Sequence, residues 1–287
     1  MLCRDYFARA LGCAKCIAVC PFSTAGYATV QAGLAHVSPA TPLPVDDRDF
    51  RVAVVGAGAA GFYATQALLA RTSQARVDLL ERLPAPHGLV RYGVAPDHPE
   101  VRSKAETFDQ TLRHPRVRFL GNVTFGHDVD RAALLSAYDA VIYATGAAAS
   151  RSLGVPGESL GGSLSATAVV GWYNGHPDFS ALTPPLDHPV AVLVGAGNVA
   201  LDVARMLASP AAHLETTDMA EHALDALADS RVRELHLLAR GGAERAAFTP
   251  RELRDLAALA DVSVVVHGAE GAACLLYTSP SPRDGTK

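Results

Sequence analysis

"RVAVVGAGAAGFYATQALL", Arg51 to Leu69, decides the fold. It starts with an unbroken apolar run, Val52 to Val55, of the kind a strand covered on both faces shows. A turn with the pattern Gly56-x-Gly58-x-x-Gly61 then opens an Ala-rich helix, and a second predicted strand, Val77 to Leu80, ends in Glu81. Each part has a physical job. Gly56 permits the tight turn, Gly58 lets the backbone come close to a pyrophosphate, and Gly61 lets helix and strand pack together. The helix N-terminus offers free N–H groups and a positive dipole end to the phosphates. Glu81 stands where an acid accepts the ribose hydroxyls of a dinucleotide. A lone glycine pattern is weak evidence, and a ligand-free glycine turn is its alternative. Strand, helix and acid at the right distances make it a dinucleotide site.

A second unit repeats the theme. "PVAVLVGAGNVALDVARML", Pro189 to Leu207, reads as a buried strand over Ala191 to Val194 and a turn Gly195-Ala196-Gly197-Asn198-Val199-Ala200. Ala200 takes the third glycine position, which the pattern accepts. The next predicted strand, Leu235 to Ala239, is followed by Arg240 rather than an acid. An acid there repels a 2′-phosphate, whereas arginine pairs with it. The first unit therefore suits a dinucleotide with a free ribose, and the second suits NADP. Between them "YDAVIYATGA", Tyr138 to Ala147, is an apolar strand ending in Ala144-Thr145-Gly146. The predicted class is α/β: two Rossmann-like dinucleotide-binding domains with parallel sheets, over residues 49–149 and 150–273, each incomplete. Two such units describe a flavoprotein with FAD in the first and a nicotinamide nucleotide in the second, where the flavin carries the redox chemistry.

Composition agrees with this and excludes several classes. The chain has 287 residues, 49% of them hydrophobic, enough for one large core or two ordinary ones. A net charge of −4 gives no basic field for nucleic acid. No apolar run approaches the roughly 20 residues of a membrane span; "AVLVGAG" and "VSVVVHG" have strand length. Cysteines crowd the N-terminus at Cys3, Cys13, Cys16 and Cys20, and the next is Cys274. The body thus has neither a disulfide framework nor a Cys-x-x-Cys redox pair.

Both ends read as separate from the fold. Residues 1–48 carry Arg4, Arg9 and Lys15, and before Asp46 the only acid is Asp5, which suits an organellar transit peptide and residence on the matrix side of the mitochondrion. The alternative is an Fe–S site, because Cys13-x2-Cys16-x3-Cys20-Pro21 overlaps the end of a ferredoxin cluster pattern. Ala10 stands where that pattern needs a further ligand. The tail "CLLYTSPSPRDGTK", residues 274–287, looks like a translated sequencing-adapter oligonucleotide, against the alternative of a native disordered tail. On the first reading the biological sequence stops near Ala273, inside a domain.

"GLVRYGVAPDHP", Gly88 to Pro99, fits no ordinary element: too broken for a helix, without strand alternation, too apolar for a casual loop. Extended to "GLVRYGVAPDHPEVR", it resembles the signature of the adrenodoxin reductase family, mitochondrial NADPH:ferredoxin reductases. Val155-Pro156-Gly157-Glu158, "GWYNG" at Gly171–Gly175, "GNVALDVAR" at Gly197–Arg205 and "AFTPREL" at Ala247–Leu253 follow in family order. The resemblance covers about residues 50 to 260.

The resemblance implies a set of roles. Leu89 touches FAD through its backbone, the apolar loop excludes water, and Gly88 and Gly93 let the backbone lie near the ring. Ala60 and Glu81 contact pyrophosphate and ribose, Phe125 lies near the adenine at a position that is usually Val, and Gly146 belongs to the same cofactor set. Ala196 to Val199 hold the NADP pyrophosphate, and Glu252 is a further NADP contact. His98 and Asp202 sit between flavin and nicotinamide; without the resemblance they read as a solvated loop histidine and a helix-face aspartate. Arg254 docks an acidic [2Fe–2S] ferredoxin, with Arg251 and Arg245 adding charge, though by sequence alone these arginines fit an ordinary solvated helix face. The implied reaction passes a hydride from NADPH to FAD and then single electrons to the ferredoxin, with at most a peripheral association with the inner membrane. One position departs from the pattern: Gly241 replaces the second of two adjacent arginines, so NADPH is expected to be preferred over NADH less sharply.

Two rivals remain open at this point. A glutamate-synthase small-subunit-like oxidoreductase would use the N-terminal cysteines, but too few residues separate Cys20 from Gly56 for a cluster domain. A truncated, non-catalytic nucleotide-binding fragment is the other. Thioredoxin-reductase-like chemistry lacks its cysteine pair.

Overall fold

The computed structural model describes residues 49–147, 149–239, 246–260 and 262–266. The extension with its cysteines, Arg240, Gly241, Arg245 and the tail from Cys274 lie outside the described residues. The chain forms two compact units and enters the second one twice, over Arg91–Ser103 and again from Ser159.

The first unit is built from β1 (Phe50–Val55), α1 (Ala59–Arg71), β2 (Ala75–Leu80), α2 (Lys104–Leu112), β3 (Val117–Leu120), α3 (Arg131–Ala137) and β4 (Ala140–Tyr143). Its strands are all parallel, in the order β3-β2-β1-β4, with Val52 opposite both Val77 and Ala140. The apolar runs of β1 and β2 become intelligible from the packing. Val52, Val54, Val77 and Leu79 face Phe62 of α1 and Phe108 of α2, while Ala53, Val55 and Leu80 face Leu134 of α3. Helices thus cover both faces, so neither strand alternates. Phe62 and Phe108 stack with ring centroids 4.5 Å apart. Each buries a side chain worth about 1.5–3 kcal/mol.

One buried charge interrupts this sheet. Asp78, in the middle of β2, accepts a fork from Arg118 (3.0 and 2.6 Å) and a hydrogen bond from the Tyr138 hydroxyl (2.7 Å). Parallel register puts Arg118 directly opposite Asp78 on β3. Burial pushes the Asp78 carboxyl up, but the bonds from Arg118 and Tyr138 outweigh it and hold the group below its ordinary value.

In the second unit, α4 (Ala166–Tyr173) is followed by β5 (Val190–Val194), α5 (Asn198–Ala208), α6 (Glu221–Ala228), β6 (Glu234–Leu238) and α7 (Pro250–Ala257). One core joins Trp172 and Tyr173 of α4, Val203 and Met206 of α5, and Ala223 of α6. A second places Leu201 of α5 and Leu256 of α7 against Leu193, Leu235 and Leu237 of the parallel β5–β6 ribbon.

Here two sequence expectations need correction. The strand expected to be buried over Ala191–Val194 is covered on one face only: Val190, Val192 and Val194 are exposed, as is Leu238 beside them. A continuous apolar run reads as a strand buried on both sides only where both sides have cover, and among the described residues helices pack on one. Likewise "VSVVV" at 262–266 forms no strand; its Val264, Val265 and Val266 are exposed, without ladder partners among the described residues.

Candidate dinucleotide turns and a buried ionic cluster

The first glycine turn leaves β1 and enters α1 with its glycines under different constraints. Gly56 has φ 108°, and a Cβ there would lie 2.3 Å from the Ala144 carbonyl oxygen. A Cβ on Gly61 would lie 2.0 Å from the Gly56 carbonyl oxygen. Both glycines are demanded by the chain itself. Gly58 is not: its φ of −85° suits any residue, and an added Cβ would meet only the Gly88 Cα, at 3.8 Å. The space at Gly58 is therefore a cradle that the fold alone does not need. Gly58 caps α1 without a side-chain hydrogen bond, so the first N–H groups of the helix have no side-chain cap.

Glu81 follows β2 and reaches across this turn. Its Oε2 accepts from the Ala57 N–H (3.0 Å) and its Oε1 from the Leu83 N–H (3.2 Å). Gly146 follows β4 with φ 70° and open space around it. Gly56, Glu81 and Gly146 thus all stand just past the carboxyl ends of parallel strands, where ligands bind in open α/β sheets. Ala60 is exposed on the first turn of α1, and Leu89 is 73% exposed. Phe125 is half-buried, edge-on to Tyr143 at 5.1 Å.

The second turn repeats the geometry between β5 and α5. Gly195 has φ 136°, and a Cβ on Gly197 would meet nothing within 4 Å. Gly197 caps α5 with no side-chain bond. The turn is anchored from the segment before α7: the Ala247 N–H donates to the Ala196 carbonyl (2.8 Å) and the Thr249 N–H to Asn198 Oδ1 (2.8 Å). Asn198 thus orders the turn through its side chain, and Val199 is exposed.

His98, Asp202 and Glu252 come together in the second unit, around a residue that sequence reasoning passed over. Arg205, on α5, is 2% exposed. Its Nε and Nη2 donate to Asp97 (2.5 and 2.9 Å), Nη2 also to Asp202 (2.8 Å), and Nη1 to Glu252 (3.1 Å). The same Nη2 lies 3.0 Å from His98 Nε2. His98 and Glu252 are buried, which corrects the reading of His98 as a solvated loop residue. Asp202 is bound to the cluster rather than being a free helix-face acid.

The electrostatics follow from one guanidinium serving several acids. Burial raises the Asp97 carboxyl, yet the bonds and charge of Arg205 bring it below its usual value. Glu252 goes the other way, raised first by burial and then by the neighbouring charge of Asp202. Burial opposes charge on Arg205, but its carboxylate partners raise its pKa and keep it charged. His98, Glu252 and Asp255 offer ligand atoms within 4.8 Å of one another, a spacing that a metal ion can also bridge. Arg205 is already the cation between His98 and Glu252.

The partner-docking arginines are less free than their charge suggested. Arg251 pairs with Glu100 and Asp255, a correction to its expected role as surplus positive charge. Arg254 is exposed and donates from Nε to the Pro250 carbonyl of its own helix (3.3 Å). The signal for Arg205 was present in the sequence: an arginine three residues after an aspartate, on an otherwise apolar helix. Its partner Asp97, 108 positions away, gave no such sign.

Two glycine turns at the ends of parallel strands define a protein with paired dinucleotide-binding units. Residues 50–240 match the pyridine nucleotide-disulphide oxidoreductase family, and the chain belongs to it. It is 52% identical over 206 residues to the mitochondrial NADPH:adrenodoxin oxidoreductase of Salvelinus fontinalis, covering 72% of this chain and 41% of that protein. It is 47% identical to the NADPH-ferredoxin reductase FprA of Mycobacterium tuberculosis, over 78% of this chain and 50% of the relative. The solved structure of that FprA in complex with NADPH superposes with a TM-score of 0.75, at 47% identity, over 78% of this chain and 50% of the other. The chain spans about half the length of the curated relatives it matches. The disulphide of the family's name has no counterpart among the described residues, which contain no cysteine.

Proposed function

We propose that this chain is the nucleotide-binding part of an NADPH:ferredoxin oxidoreductase, with FAD in the first unit and NADP in the second. The observation that carries the reading is the cradle at Gly58: a glycine where neither backbone angle nor neighbouring atoms require one. A pyrophosphate lying against that backbone supplies the missing reason. The relatives named above point the same way, one an adrenodoxin oxidoreductase and the other a ferredoxin reductase, both by name NADPH enzymes.

When bound, FAD supplies the conversion between a two-electron nicotinamide donor and a one-electron Fe–S acceptor. The chain's own residues bind, orient and shield. N–H groups at the start of α1 orient the phosphates, and Glu81, held by two backbone donors, presents its remaining lone pairs to ribose hydroxyls. Leu89 offers apolar cover beside Gly88. In the second unit the start of α5 orients the NADP phosphates, Arg240 reads the 2′-phosphate, and Glu252 contacts the nucleotide. His98 and Asp202 are the pair that would hold a proton beside a bound nicotinamide. Arg254 meets an acidic [2Fe–2S] ferredoxin, an encounter steered by charge and weakened by salt.

The assignment of residues 49–149 to FAD and 150–273 to NADP, and of residues 1–48 to a mitochondrial transit peptide, belongs to the same proposal. The nearly acid-free extension before Asp46 supports the organellar part. Among the described residues no helix is long and apolar enough to cross a membrane. The test is direct. Titrating the purified chain with FAD and with NADPH, by flavin fluorescence and calorimetry, should give two independent sites. Glu81→Ala should weaken only the first, and Arg240→Ala only the second. Absence of saturable FAD binding overturns the reading.

A further inference from the structure

We propose that Arg205 is a positioning residue that holds His98 with its proton on Nδ1 and its Nε2 unprotonated. The first ground is the contact itself. A guanidinium has donors and no acceptor, so the Nη2–Nε2 approach of 3.0 Å is a hydrogen bond only if Nε2 keeps its lone pair. Carboxylates of Asp97, Glu252 and Asp255 also approach Nε2, and would favour a proton there. They stand 3.9, 3.8 and 3.9 Å away, beyond hydrogen-bond distance, while Arg205 is within it.

The second ground is that Arg205 cannot swing aside to let Nε2 take a proton. Nε is held by Asp97 and Nη1 by Glu252, the two Nη2 hydrogens are shared among Asp97, Asp202 and His98, and the side chain is buried. Tyr173 of α4 lies in the same charged environment and is itself held protonated by burial and by Asp202.

The third ground comes from a pair of histidines in one sequence pattern. His98-Pro99-Glu100 and His176-Pro177-Asp178 both start a short helical segment, with the histidine as the capping residue and proline after it. At His176 the ring does what a capping side chain does: Nδ1 accepts from the Asp178 N–H at 3.1 Å. At His98 the ring makes no cap bond. The backbone differs, with φ −111° and ψ 65° at His98 against −68° and 128° at His176, so the His98 ring is not committed to a cap and its Nδ1 is left to carry the proton that Nε2 lacks. His98 therefore presents a single N–H donor, on Nδ1, and the identity of that donor is fixed by a residue on another helix. The inference concerns one unit and does not depend on which nucleotide binds.

The experiment needs no activity. The full chain is prepared with ¹⁵N-labelled histidine and arginine, and His98 resonances are assigned by comparison with His98→Asn. Long-range proton–nitrogen correlation at neutral pH should show a pyridine-type Nε2 and a pyrrole-type Nδ1 for His98. A pyrrole-type Nε2, or two imidazolium-type nitrogens, overturns the proposal. In folded Arg205→Met, which keeps length but has no donor, the split should be lost, both nitrogens moving toward an averaged position; an unchanged split shows that Arg205 is not its cause. Where Arg205→Met does not fold, the scalar coupling across the Arg205 Nη2–H to His98 Nε2 hydrogen bond decides on the native protein. Its detection supports the assignment and its absence overturns it.

Discussion

Replacing Gly58 by alanine should separate ligand binding from folding, and the three glycines of the first turn make the contrast quantitative. At Gly58 the new methyl would find only the Gly88 Cα, in ordinary contact at 3.8 Å. Alanine is a poorer helix cap than glycine, by up to about 1 kcal/mol. It also restricts the unfolded chain, which returns about 0.4–1 kcal/mol. The net change in stability should stay within about 1 kcal/mol, or roughly 4–8 °C in melting temperature for a domain of this size. Gly61→Ala is a different perturbation, because its Cβ would be forced to 2.0 Å from the Gly56 carbonyl oxygen. Strand or helix must move, at about 1–3 kcal/mol or more, out of a total of about 5–15. Binding should show the reverse sensitivity. The Gly58 methyl occupies the space through which backbone N–H groups approach a pyrophosphate. Losing one charge-assisted hydrogen bond of about 1.5–3 kcal/mol weakens affinity roughly 10- to 100-fold. The assay pairs thermal unfolding of the nucleotide-free chain with FAD titration. Wild-type FAD affinity in Gly58→Ala, or destabilisation equal to that of Gly61→Ala, would refute the reasoning.

Three further outcomes are expected. Asp78→Asn should cost about 1–2 kcal/mol, since it breaks a charged fork whose arginine partner is largely solvated. In the native chain the Asp78 carboxyl lies below its unfolded value, so its stabilisation is fully present above the unfolded carboxylate pKa and is lost as pH falls through the folded one; the acid limb of a pH-dependent melt should shrink in the variant. Arg205→Leu leaves Asp97, Asp202 and Glu252 without their shared cation, and should cost about 3–5 kcal/mol by denaturant titration. That loss should partly recover on acidification as the orphaned carboxylates take up protons; a loss independent of pH would show that packing, not charge, is what Arg205 supplies. Arg240→Ala should weaken NADPH binding by about one to two decades, as the loss of a desolvated arginine–phosphate contact implies, and leave NADH binding nearly unchanged. Equal losses on both nucleotides would remove Arg240 from the 2′-phosphate.

Local geometry was legible in the sequence, whereas long-range partnership was not. The role of each glycine in the first turn follows from spacing between a strand and a helix, which is a local constraint, and the backbone angles and Cβ contacts agree with it for Gly56 and Gly61. Glu81 is legible for the same reason, since it terminates the strand beside β1. The burial of β5 is not legible, because periodicity reports the residues of one segment and not what covers them. Arg205 is not legible either, because an arginine on a helix is by default a surface residue. Only the chain's return from Asp97, 108 positions earlier, turns it into the centre of a cluster. Asp78 is an intermediate case: a charge inside "RVDLL" signals a buried partner, but only parallel register names Arg118 as that partner.

The stretch Gly88–Pro99, expected to hold no helix, forms one short helical turn at Leu89–Tyr92 and is otherwise irregular, because its two ends answer to different units. At its start, Gly88 has φ 49°, and a Cβ on it would lie 2.9 Å from the Gly58 Cα, so it is fixed by close backbone approach to the first glycine turn. At its end, Asp97 forms the fork with Arg205, and His98 sits under the same guanidinium. In between, the Val94 carbonyl accepts from Arg102 (2.8 Å) and Asn174 (3.2 Å), and the Ala95 carbonyl from Arg102 (3.4 Å) and the His98 N–H (3.1 Å). A helix or strand shows periodicity because all its residues serve one buried face. Beyond its helical turn this loop has no such face: its glycine is set by backbone contact, its middle by bonds from Arg102, Asn174 and the His98 N–H, and its last residues by a buried charge. The irregularity in the sequence is the record of those separate constraints.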